Sequence, residues 1–149
     1  MKLTEEEREL LLTEVAQALD NVRAPELKVT YGELLSAVDQ GEVPDELLAP
    51  LESVLELGLE SGRIRKVHLA HGEMTAQRIF ARTPRGRAMQ GASAEVNEAL
   101  RALVGHTIEE VSISQPGPGR FSLLLGTEHG RLVLRLNRSG VRLQSLEVG

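Results

Sequence analysis

Three groups of side chains in this chain have the chemistry to act. His68, His71 and Glu73 place imidazole and carboxylate groups within a few residues, the donor types of a zinc-class site. Gly72 lies among them between apolar runs, which reads as a hairpin tip exposed to water. No further ligand is placed nearby, and no metal is assigned. His106 and His129 stand beside glycines in turns and read as surface residues. Ser112, Ser114 and Ser122 fall in strand-like runs with neither a nucleophile elbow nor a positioned base, so no catalytic residue is expected. Gly117 and Gly119 flank a proline without the strand–loop–helix context or the lysine of a phosphate cradle, and a turn explains them.

The third group is cationic. Residues 62–87 hold Arg63, Arg65, Lys66, Arg78, Arg82, Arg85 and Arg87 against Glu73 alone, whereas residues 1–60 hold four basic and fifteen acidic side chains. Such a charge asymmetry in a chain of net charge −5 is informative about partners and does not by itself identify a function.

The scaffold for these groups is small. A length of 149 residues suits one small domain with an appended subdomain, and with no cysteine and 2% aromatic residues the core must be built from Leu, Val, Ile and Ala. The acidic start MKLTEEERELLL lacks the basic region of a signal peptide, and no apolar run nears the roughly 18 residues of a membrane span. A soluble cytoplasmic protein with no membrane contact and no cofactor is expected.

Thr4 to Glu7 form a capping box opening a first helix, whose Leu12, Val15, Leu19 and Val22 recur at helical spacing up to Ala24-Pro25. Thr30 to Glu33 predict a second box and a short helix ending at Gly41. Pro50 would cost about 3 kcal/mol inside a helix, so a turn at 44–48 should precede a third helix from about 50 to 61, stopped at Gly62. Two apolar runs, Ile64 to Leu69 and Ile79-Phe80, predict a β-hairpin. Thr83-Pro84 then opens another helix, continuous or interrupted near Gly91, which ends at Gly105. From Thr107 the period becomes two, and four runs separated by Gly-rich turns predict an antiparallel meander. In the last run Leu146 and Val148 fall out of phase with Val141 and Leu143, as a bulge near Ser145 or a strand covered on both faces would require.

Three helices followed by a hairpin, with a Leu-rich third helix ending in Glu60-Ser61-Gly62-Arg63-Ile64, resemble the winged-helix DNA-binding domains. Ile79-Phe80-Ala81-Arg82-Thr83-Pro84-Arg85-Gly86-Arg87-Ala88 is similar to the end of the wing and the next helix in PadR-like and MarR-like regulators. The resemblance covers residues 4–104. It implies a winged-helix-like domain at 1–90, and with the meander read from the strand periodicity the chain is expected to be α+β: that domain, then a connecting helix and a four-stranded antiparallel β meander at 91–149. It further implies a non-enzymatic regulator of transcription that binds duplex DNA, with Arg65, Lys66 and Arg78 of the wing on phosphates. The would-be recognition helix and its lead-in carry Asp45, Glu46, Glu52, Glu56 and Glu60, which repel a polyanion. A protein–protein interaction module therefore stands beside DNA binding as the alternative. The sheet should present more apolar surface than one helix covers, which predicts a homodimer through Val96, Leu100 and Leu103 or through the outer strands.

Overall fold

The computed structural model of the protein describes residues 1–148, which divide into a helical unit, Met1–Gly86, and a unit from Arg87 onward that contains the sheet. In the first, helix α1 (Glu5–Asn21) starts from the expected capping box: the Glu7 amide donates to the Thr4 hydroxyl, and the Thr4 amide donates to the Glu7 carboxylate at 2.9 Å. Helix α2 runs Pro25–Asp39 and so begins six residues earlier than predicted, with Ala24 rather than Thr30 at the cap position. Pro25 stands at its first position, and Thr30 lies inside the helix with its hydroxyl donating to the Glu26 carbonyl at 3.1 Å. A single 3-10 turn, Asp45–Leu47, leads into α3 (Leu48–Glu60). Pro50 sits in the first turn of α3, where its missing N–H is no loss. Gly62, at φ 70°, makes the predicted left-handed stop.

Beyond Gly62 the structure departs from expectation. The predicted hairpin over Ile64–Phe80 is instead helix α4 (Arg63–Ala81), broken only at Leu69. Ile64, Ala76 and Ile79 are buried with Leu10, Leu11, Val15, Leu34, Leu51 and Leu55 in one core formed by α1 to α4. Short apolar runs fit a strand or a buried helical stripe equally well, and here packing against α1 and α3 decides for helix. The start of the chain is pinned by hydrogen bonds from Leu3 to Gly41 and from Val43 to Met1.

Helix α5 (Pro84–Arg101) is capped by Thr83, whose hydroxyl accepts from the Gly86 amide at 3.2 Å, and it passes Gly91 without interruption. The sheet is the predicted meander: β1 (Ile108–Gly117), β2 (Arg120–Thr127), β3 (Gly130–Asn137) and β4 (Gly140–Val148), in the order β1-β2-β3-β4, all antiparallel. Leu134 pairs with Leu143 while Val133 pairs with Ser145, so Gln144 is the extra residue of a bulge that returns Leu146 to the apolar face opposite Leu132. Val96 and Ala99 of α5 are buried on Leu132 and Leu134.

Candidate functional site

The polar groups with the most structure around them lie along the seam of α1 and α4. Glu14, fully buried, accepts from both terminal nitrogens of Arg63, one at 3.0 Å, and its Oε1 lies 2.9 Å from His68 Nε2. Arg63 also donates to Gln17 Oε1 at 2.5 Å. These contacts satisfy a carboxylate that has no access to water, and they form an internal clamp between α1 and α4. Gly58 leaves room for it: a Cβ there would come within 2.6 Å of Ile64 Cδ1 and 3.1 Å of Glu14 Oε2.

The break in α4 sets how the seam continues. Leu69 has φ 60° and ψ −166°, a region that side chains avoid, and it separates His68, which meets Glu14, from His71, whose Nε2 lies 3.1 Å from Glu6 Oε1. Gly72 is required beside it, because a Cβ would fall 2.1 Å from that of His68. Glu6 also accepts from the Thr75 hydroxyl and lies 3.3 Å from Arg78. The Thr75 hydrogen bond, then the charges of His71 and Arg78, hold the Glu6 carboxyl below the ordinary range against the opposing effect of desolvation. A cavity of about 330 Å³ follows this seam, lined by Glu6, Glu9, Thr13, His68, His71 and Thr75 among others.

Most of the residues expected to grip phosphate are occupied within the chain. Arg63 pairs with Glu14, Arg65 with Glu73 at 3.5 Å, Arg78 with Glu6, Arg82 with Glu7 at 2.7 Å and Arg85 with Glu56 at 2.7 Å. Burial raises the Glu56 carboxyl, with Glu60 and Glu52 adding to the rise and Arg85 opposing it. Lys66 and Arg87 have no carboxylate partner among the described residues. The sequence showed the cations but not their partners, because Glu6, Glu7 and Glu14 are some 50 to 75 residues away and look like solvated helix charges. Further arginines without a carboxylate partner among the described residues lie on the sheet. Arg135 stands directly opposite Arg142, with Arg120 on the next strand and Arg138 in the β3–β4 turn. The sheet register, rather than their spacing along the chain, sets Arg135 against Arg142.

No protein-family model, curated protein or solved structure matches this chain. The geometry alone carries the functional reading.

The residues expected at a dimer interface face inward. Val96 is 3% exposed, and Leu100 and Leu103 pack with it against the sheet of their own unit. The surplus of apolar surface is real but lies at the margin of the sheet. Val111 and Ile113 share a face with their register partners Leu125 and Leu123, yet they remain 62% and 69% exposed. Beyond them is the hydrogen-bonding edge of β1. The opposite edge, β4, is guarded by a bulge and by Arg142 and Glu147.

Proposed function

We propose that this protein is a non-catalytic assembly module that acts by protein–protein recognition, and that its first partner is a second copy of itself joined along β1. The observation that carries this reading is the open edge of β1 beside uncovered Val111 and Ile113. An edge strand with apolar side chains templates another strand. Residues Glu110 to Ser114 pair regularly with β2 between two irregularities, so this stretch offers a flat edge. Antiparallel pairing of two copies centred on Ser112 sets Val111 against Ile113 of the second copy. Glu110 then meets Ser114 and Glu109 meets Gln115, so no like charges face each other. Light scattering of the unmodified chain and of Val111→Lys/Ile113→Lys tests it: dimer for the first and monomer for the second supports the proposal.

A transcription regulator holding duplex DNA through residues 62–87 has less support. A winged-helix reading needs a hairpin after α3, where the chain enters α4, and five of the seven cations already hold carboxylates. One observation favours a contact with nucleic-acid phosphate at another place: Arg135 and Arg142 are opposed like charges, destabilising unless an anion lies between them. Titrating duplex DNA at two salt concentrations distinguishes the locations. Loss of salt-sensitive binding in Arg135→Ala/Arg142→Ala places the contact on the sheet, and loss in Arg65→Ala/Lys66→Ala/Arg78→Ala/Arg82→Ala returns it to α4.

A further inference from the structure

His106, Glu128 and His129 come from two turns that sequence reading treats as unrelated. Gly105, at φ 87°, ends the turns that follow α5, and the His106 amide donates to the Leu103 carbonyl at 3.2 Å, which fixes the backbone from which this imidazole projects. Two residues later β1 begins, and Ile108 is in register with Thr127, the last residue of β2. The next two residues, Glu128 and His129, form the β2–β3 turn. Thr127 pins that turn, its hydroxyl accepting from the His129 amide and donating to the Gly130 carbonyl, each at 3.3 Å. The sheet register therefore brings the two turns together.

The three donor atoms all lie within 4.8 Å of one another, the His106 and His129 rings meet edge to face at 5.1 Å, and His129 Nε2 is 3.5 Å from Glu128 Oε1. Two ligands bound at about 2.0–2.1 Å in a tetrahedron are roughly 3.3–3.4 Å apart, so that last pair is close to ligand spacing, and the His106 donor lies within 4.8 Å of both. None of the three side chains is held by a hydrogen bond from another residue among the described ones, so none must be released to bind. Two imidazoles and a carboxylate suit a borderline divalent ion far better than Mg²⁺ or Ca²⁺, and an exposed three-ligand set leaves a coordination position for water.

We propose that His106, Glu128 and His129 form a binding site for a zinc-class divalent cation, which ties the turn before β1 to the β2–β3 turn. The site is independent of the assembly reading. Calorimetric titration of the full chain with Zn²⁺, after treatment with EDTA, tests it alongside thermal unfolding with and without Zn²⁺. One ion should bind per chain and raise the midpoint of unfolding. His106→Ala and His129→Ala should each weaken binding by about tenfold or more, and the double variant should abolish both effects. Mg²⁺ should not compete. Circular dichroism verifies that the variants, all at exposed positions, remain folded. Absence of Zn²⁺ binding to the unmodified chain overturns the proposal, as does equal binding by the folded double variant or displacement of Zn²⁺ by Mg²⁺.

Discussion

Single residues decide whether the first unit holds together, and Glu14 is the most consequential. Replacing it by Ala leaves Arg63 and His68 without their shared partner. Because those side chains are 25% and 20% exposed and can regain water, the expected loss is about 2–4 kcal/mol, short of a fully buried pair. Urea unfolding of the full chain measures it. Two carboxylates should respond to pH with opposite signs. Glu6 is held below its ordinary value, so its stabilising contribution is present above about pH 4.5 and is lost as pH falls through the lower folded value. Thr75→Val removes the largest cause and should flatten that acid limb of the unfolding profile. Glu56 is raised by burial, so its contribution is present at low pH and disappears as pH rises through the raised value. At neutral pH, Glu56→Gln should leave stability unchanged or increase it, whereas Glu6→Gln should lower it. The glycines divide in the same way. Gly86→Ala would set a Cβ 1.9 Å from the Phe80 carbonyl oxygen and should destabilise by at least about 2 kcal/mol, while Gly91→Ala meets open space within α5 and should stabilise by about 0.5–1 kcal/mol, both read from unfolding midpoints.

At the scale of elements, α5 and the sheet form one layered pair, and charged residues at Leu100 and Leu103 strip a cover from Leu132 and Leu134. Such a variant is expected to loosen the second unit, seen as faster hydrogen exchange in β2 and β3, rather than to separate two copies. Signals that act locally were legible in the sequence: the Thr4 and Thr83 caps, the Gly62 stop, the four strands and the slip of phase that became the Gln144 bulge. Signals that depend on distant partners were not. Residues 64–80 read as a hairpin because Gly72 between apolar runs has the same pattern as a turn. In the fold Gly72 serves close packing against His68, and the true backbone irregularity is at Leu69, a residue with no preference for it. The start of α2 was misplaced since Thr30 fits a cap by composition and its position inside the helix depends on Pro25. Of the polar seam only the cationic half was visible, because Glu14 resembles any other helix glutamate until its burial is known.

For the molecule as a whole, charge and apolar exposure are distributed differently from what a linear reading implies. The basic segment is largely neutralised by acids of α1, α3 and α4, while exposed Val111 and Ile113 border a strand edge with nothing paired to it among the described residues. Concealing that edge is the simplest use a second copy has, and a closed two-fold pairing along β1 consumes it without leaving a template for further addition. The most direct measurement is the mass of the unmodified chain by light scattering over a hundredfold range of concentration, repeated for Val111→Lys/Ile113→Lys. A mass of two chains that falls to one in the variant, with circular dichroism unchanged, is the expected result. A single-chain mass for the unmodified protein at the highest concentration, or a dimer that survives both substitutions, would contradict assembly along β1.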